Sequence, residues 1–295
     1  MKDIIEAFNR SAATYEDWYK TPLGEYVFKT ELKGLEALLP GKGLGAEIGS
    51  GTGIFAEHLI TESRNILCID PSPEMVSQSL WRSLPTLLGV AEKPPLKPRS
   101  LDFMYLVTVI EFLVDPLEAL SSLRFLLKPT APLVTLAINR ESSWGQAYLE
   151  SSKREDSLFR HAQLYTLNEG SDLLRDAGYR VEGALMVLNV SPDGTPEEPS
   201  LYTPEEKRDA GVFLLKAVPV EISDGPSEKG STFIPHNATS GSAGPSFASS
   251  SSLYSVPHRD MLSYLPPLDQ QPWHRRRRLI GQRPSHNPRC CTSHP

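Results

Sequence analysis

From residue 44 to residue 218, short apolar runs alternate with stretches of helical rhythm, and this alternation restricts the fold more than any other feature of the chain. The runs predict strands near 44–48, 65–70, 86–90, 101–107, 132–138, 180–190 and 211–218, with helices near 53–62, 73–82, 116–127 and 168–177. Parallel strands need a crossover between them, and a helix supplies it. The pattern therefore predicts an α/β fold with a mostly parallel sheet covered on both faces. Ligands of such sheets bind beyond the carboxyl ends of the strands, near the switch in strand order. The residues that end the early strands are thus the ones to read for function. Thr166 and Glu169 form a T-x-x-E capping box before the last helix, and Gly178 sits where that helix stops.

Ahead of the alternation, Ile4, Ile5, Phe8, Ala12, Tyr15, Trp18 and Tyr19 recur at helical spacing and predict one amphipathic helix that breaks near Pro22 and Gly24. Leu32, Leu35, Leu38 and Leu39 mark a second helix, closed by Pro40 and Gly41. Behind it, the composition shifts. Residues 1–220 carry 22 basic and 31 acidic side chains, a net of −9, whereas residues 221–295 carry 8 and 5, a net of +3, with 14 Ser and 10 Pro. The front part can bury a full core. The tail has too little apolar surface to offset chain entropy and is expected to be disordered.

The same features exclude several functions. No apolar stretch approaches the 20 or so residues of a membrane span, and the first residues lack the apolar segment of a secretory signal, so a cytoplasmic location is expected. The acidic body argues against a nucleic-acid backbone as main partner. Cys68 stands alone and Cys290 and Cys291 are adjacent, which is neither a disulfide framework nor a metal-binding pattern. With only His58 and His161 in residues 1–220, a histidine metal site is not expected.

The first strand runs into Glu47-Ile48-Gly49-Ser50-Gly51-Thr52-Gly53. A glycine-rich turn between strand and helix lets a ligand approach the backbone and aims helix N–H groups at its anionic part. It also serves mere tight packing. The dinucleotide fingerprint needs G-x-G-x-x-G or A, but here the third Gly comes one residue early and Ile54 fills its place, which disfavours a nicotinamide cofactor. Asp70 ends the second strand 21 residues after Gly49. Its carboxylate can accept from two ribose hydroxyls, or it can start a turn, with Ser72 competing as the helix cap. Glu92, after the third strand, can accept from an adenine amino group or stand as a solvated loop acid.

Taken in order at three consecutive strand ends, these features resemble the class I S-adenosylmethionine-dependent methyltransferases, above all the small-molecule branch that includes the ubiquinone and menaquinone biosynthesis enzymes. The resemblance covers roughly residues 8–218, through E-I-G-S-G-T-G at 47–53, I-D-P-S-P-E-M at 69–75, G-V-A-E at 89–92, the segment 101–116 and G-Y-R-V-E-G at 178–183. It implies a doubly wound seven-stranded sheet in the order 3-2-1-4-5-7-6, with the seventh strand antiparallel. It implies an N-terminal helical cover over residues 1–40 and an S-adenosylmethionine-binding domain over 41–220; the tail over 221–295 has no counterpart in it. By the same likeness, Glu47, Gly49, Gly51 and Gly53 lie beside the amino-acid end of the cofactor. Asp70 holds the ribose, Met75 packs near the adenine, and Ala91 and Glu92 contact it. Val107 and Thr108 stand beside the transferring methyl. Tyr15 and Tyr19 of the entry helix are candidates for ligand contact, or simply core.

The chain departs from the family in two places within that span. Glu111 is followed by Phe112 where many relatives have Glu-His, and Lys128-Pro129-Thr130-Ala131 stands where a Lys-Pro-Gly-Gly turn is usual. Catalytic candidates are accordingly few. His161, sharing a helix face with Tyr165 if 156–165 is helical, is the best base by residue type or else a surface histidine; Glu111 is a base or a capping acid; Tyr148, with Trp144 and Arg140, can stack on or pair with an acceptor, or belong to a loop that packs over the sheet. Cys68 and His58 read as structural. In the tail, the Arg275–Arg278 run can contact nucleic acid, act as a targeting signal, attract an acidic surface or simply be solvated, and the Asn237 sequon means little without a secretory signal. The expected activity is methyl transfer to a small-molecule acceptor. The competing readings are a noncatalytic S-adenosylmethionine-binding or interaction protein and, less well supported by the glycine spacing, a nucleotide-dependent oxidoreductase.

Overall fold

The computed structural model describes residues 1–155 and 157–220. The expectations for the tail, including Arg275–Arg278, Asn237, Cys290 and Cys291, lie outside the described residues. Helix α1 spans Lys2–Ser11 and α2 spans Pro22–Leu38. The sheet and its helices follow as β1 Gly43–Ile48, α3 Ile54–Leu59, β2 Arg64–Asp70, α4 Pro73–Trp81, β3 Thr86–Leu88, β4 Phe103–Val107, α5 Pro116–Arg124, β5 Leu133–Ile138, α6 Ser143–Ser151, α7 Leu167–Asp176, β6 Tyr179–Val187 and β7 Val212–Pro219.

The seven strands form one sheet in the order β3-β2-β1-β4-β5-β7-β6. β1 to β5 pair in parallel, whereas β7 runs antiparallel to both β5 and β6. The order reverses between β1 and β4, which opens a crevice at their carboxyl ends. All five residues of β4 are buried. Phe103, Tyr105 and Val107 face a cluster with Leu35, Phe55 and Leu59, while Met104 and Leu106 face one with Leu120, Leu123 and Leu174. This two-sided burial is what a central strand between helical layers requires, and it explains why the strand reads as an unbroken apolar run. Each fully buried side chain of this kind contributes about 1.5–3 kcal/mol.

The N-terminal segment differs from its expected form. The first helix ends at Ser11, and Trp18–Lys20 make a separate 3-10 turn. Pro22 starts a helix rather than breaking one: it occupies the first turn of α2, behind Thr21, whose hydroxyl accepts from Gly24 N at 3.1 Å. A proline is tolerated there because its missing N–H would have no helical partner. The expected helix over 156–165 reduces to a 3-10 turn at Leu158–His161, and Tyr165 lies extended against Asn139. The capping box at Thr166 and Glu169 forms in full.

Candidate active site

A cavity of about 590 Å³ opens beyond the carboxyl ends of β1, β2 and β4, roofed by α1 and the 3-10 turn. Its floor on one side is the glycine-rich turn. Gly51 has φ +53, and a Cβ there would project into open space, so the residue leaves room in the cavity rather than relieving a clash. Gly53, at φ +79, instead caps α3, and a Cβ on it would strike Leu84 and the Ser79 hydroxyl. The turn is pinned from β2. Asp70 Oδ2 accepts from Gly51 N and Oδ1 from Ser72 N, both at 2.8 Å. Each oxygen keeps a further lone pair for a hydroxyl donor. Burial raises the Asp70 carboxyl to about 6 against the pull of those two N–H groups. Ser72, not Asp70, caps α4, accepting from Met75 N at 3.1 Å.

Eight of the ten expected cofactor residues line this cavity: Gly49, Gly51, Asp70 and Met75 from the first two strand ends, and Ala91, Glu92, Val107 and Thr108 from the next two. Thr108 has φ +49, and its hydroxyl donates to Val107 O at 2.8 Å. A β-branched residue held in that region is strained, and such strain collects at functional sites. Glu47 and Gly53 do not line the cavity. Glu47 lies within β1, two residues before Gly49 at the crevice, where Tyr105 donates to its Oε2 at 3.0 Å and burial raises its carboxyl to about 8. Gly53 is taken up by the helix cap just described.

The other half of the cavity is aromatic. Tyr15 meets Tyr19 at 6.4 Å between ring centroids, Tyr19 meets Trp18 at 5.3 Å, and Trp18 meets Trp144 at 6.4 Å. Trp144 continues to Tyr148 at 6.2 Å and Tyr148 to Phe159 at 4.1 Å. The Trp144 indole is fixed by donation to Val190 O at 2.6 Å. Behind these rings, Glu31 of α2 also lines the cavity, 5% exposed. Burial raises its carboxyl to about 8, with a smaller push from Glu111.

The three catalytic candidates separate. Tyr148 lines the cavity. His161 does not: it flanks a surface groove with Asp3, Glu6, Arg10 and Arg160, because the 3-10 turn carries it outward. Glu111 is buried but outside the cavity; its Oε1 accepts from Ile138 N at 2.8 Å, holding the end of β5, while Oε2 has no partner. Burial raises its carboxyl to about 7. Arg140 turns outward to Glu169, with Nη2 2.7 Å from its Oε1. Glu31 was not singled out by sequence reasoning. Its signal lay in the spacing Val27–Glu31–Leu35, which puts a carboxylate in the apolar seam of α2.

The site fits S-adenosylmethionine. An acid stands at the end of β2 with free acceptor positions, Gly51 leaves space beside the backbone, and the charged side chains lining the cavity are acidic, matching a sulfonium cation. Residues 46–135 match the family model described as a methyltransferase domain. An uncharacterised protein of Methanocaldococcus jannaschii is 27% identical over 176 residues, covering 60% of this chain and 82% of that protein. An uncharacterised Mycobacterium tuberculosis protein is 29% identical over 187 residues, and the match spans 63% of this chain and 64% of the relative, just under two thirds of its length. Among solved structures, a Thermotoga maritima S-adenosylmethionine-dependent methyltransferase, described as a possible histamine N-methyltransferase, superposes with a TM-score of 0.66 at 29% identity, covering 73% of this chain and 99% of that one. An Aquifex aeolicus S-adenosylmethionine-dependent methyltransferase shares the fold at 21% identity and a TM-score of 0.50, over 72% of this chain and 98% of the other. The matched segment, the strand order with its antiparallel β7 and the Thermotoga structure together place this chain among the class I S-adenosylmethionine-dependent methyltransferases.

Proposed function

We propose that the domain transfers a methyl group to a small molecule held in the aromatic half of the cavity. The observation that carries this reading is the continuity of one cavity from Asp70 and Gly51 to the rings of Trp144 and Tyr148. S-adenosylmethionine, when bound, supplies a methyl already activated on a sulfonium. In this reading Asp70 binds the ribose hydroxyls, Ala91, Glu92 and Met75 hold the adenine, and the Gly49–Gly51 turn takes the amino-acid end. Val107 and Thr108 then flank the passage between the two halves. Residues 1–40 act as a cover over the domain at 41–220. The protein's task is alignment and exclusion of water, effects worth up to about 7–11 kcal/mol of barrier in well-oriented systems.

No membrane-crossing helix occurs among the described residues, and none of their His, Cys, Asp and Glu side chains cluster as a metal site would require. The test is calorimetric titration of S-adenosylhomocysteine, followed by turnover of isotopically labelled methyl groups in a small-molecule extract. Binding with transfer to an extract component supports the proposal. Binding without transfer to any acceptor would leave a noncatalytic cofactor-binding protein.

A further inference from the structure

Three charged side chains line the cavity, Glu31, Asp70 and Glu92, and no basic side chain does among the described residues. Asp70 and Glu92 lie in the half assigned to the cofactor. Glu31 lies in the other half, 5% exposed, with no hydrogen-bond or ion-pair partner among the described residues. An unpaired buried carboxyl is costly to ionise and holds its proton, until an arriving cation supplies the counter-charge that completes it as a carboxylate. Tyr15, Tyr19 and Tyr148 lie near enough to feel its charge, and burial keeps their phenols neutral. Neutral aromatic rings around a carboxylate form a receptor for an organic cation, the carboxylate giving the charge-assisted hydrogen bond and the rings a cation–π surface.

We propose that the acceptor is an amine, docked as its ammonium on Glu31 within the wall of Tyr15, Tyr19, Trp144 and Tyr148. This rests on the methyl-transfer reading and specifies its substrate. An ammonium has no lone pair, so it must first give up a proton. Its N–H bond breaks and an O–H bond forms on a Glu31 oxygen. The freed lone pair forms the N–C bond while the electron pair of the methyl–sulfur bond passes to sulfur. Positive charge moves from sulfur to nitrogen and no further reactant is consumed. The raised Glu31 carboxyl suits proton exchange with an amine better than an ordinary carboxylate would. A carboxylate or phosphate acceptor would meet three acids and no basic side chain among the described residues.

The test uses the full chain saturated with S-adenosylhomocysteine, titrated with 2-phenylethylamine, 2-phenylethanol and phenylacetate, which differ only in the head group. The amine is expected to bind at least about tenfold more tightly than the alcohol, the scale of one charge-assisted contact, with no detectable binding of the acid. Glu31→Gln should abolish the preference for the amine while leaving S-adenosylhomocysteine binding in place. Tyr148→Leu should weaken the amine more than the alcohol, and this variant decides the matter if Glu31→Gln does not fold. Equal binding of amine and alcohol, retention of the preference in Glu31→Gln, or no binding by any of the three overturns the proposal. Failure of S-adenosylhomocysteine itself to bind would instead overturn the methyl-transfer reading beneath it.

Discussion

Ser72 Oγ donates a hydrogen bond to Asn9 Oδ1 at 2.6 Å, joining helix α1 to the loop that follows Asp70. The same Ser72 caps α4, so the cover is fastened to the residue that shapes the cradle. A second tie lies at Arg82. Its Nη2 reaches Glu16 at 2.5 Å, its Nε donates to Thr52 O at 3.0 Å, and it also pairs with Glu57. The segment between α1 and α2 is thereby held to the glycine-rich turn. Closure over the cavity and the shape of the cradle are linked through these polar contacts at Ser72 and Arg82.

Asn9→Ala should loosen the cover without disturbing the Ser72 cap. The expected loss is about 0.5–1.5 kcal/mol, the net value of one hydrogen bond. Limited proteolysis within the first 20 residues should accelerate, and bound S-adenosylhomocysteine should restore part of the protection. Unchanged cleavage would show that the contact does not hold the cover.

Asp70→Ala should weaken S-adenosylhomocysteine binding by about 1–3 kcal/mol, because lost charge-assisted bonds add to a Gly51 N–H left without its acceptor. Gly51→Val should weaken it further. The new side chain would enter the cavity, and the φ of +53 would strain any β-branched residue. Calorimetry checks both, with near wild-type affinity counting against the assignment.

Stability should fall as pH rises from about 5 to 8. Glu31 and Glu47 titrate in the fold near 8, Glu111 near 7 and Asp70 near 6, against unfolded values of about 4. Across that window the native state holds more protons than the unfolded chain, so stability present at low pH is lost as pH passes each folded value, by up to about 1.4 kcal/mol per pH unit for each fully shifted group. Melting temperatures over this range check the slope, and Glu31→Gln should flatten it. A melting temperature that climbs steadily from pH 5 to 8 would contradict the burial of these acids.

Thr130 has φ +64 in the turn after α5, a backbone conformation that favours glycine. A β-branched residue there costs about 1–2 kcal/mol, while glycine would cost about 0.4–1 kcal/mol through the freer unfolded chain. Thr130→Gly is therefore expected to stabilise the protein by up to about 1 kcal/mol, measured by chemical denaturation. A clear loss of stability would show that the threonine side chain contributes contacts that outweigh its strain.

Much of the sheet was legible because its signals are local. Unbroken apolar runs such as Phe103–Val107 carry their own length and burial, and Asp70 and Gly51 are fixed by the turns that follow their strands. What was not legible depends on contacts between distant segments. Glu31 was not singled out, because its burial depends on α2 packing across the sheet and turning the Val27–Glu31–Leu35 seam inward. His161 reads as a base or a surface histidine, and only the 3-10 turn in place of the expected helix, which leaves it outside the cavity, decides between them. Pro22 breaks a helix or starts one depending on Thr21, and only the hydroxyl contact to Gly24 N decides between them. Likeness to quinone-biosynthesis enzymes likewise carried no information about the acceptor half, whose charge comes from α2.

Crystals of the full chain grown with S-adenosylhomocysteine test the central claim most directly. The ribose hydroxyls should lie within hydrogen-bond distance of the Asp70 carboxylate, with the adenine beside Glu92 and the thioether sulfur facing the aromatic half across Thr108. Ligand density anywhere other than the cavity between β1 and β4, or a ribose remote from Asp70, would contradict it.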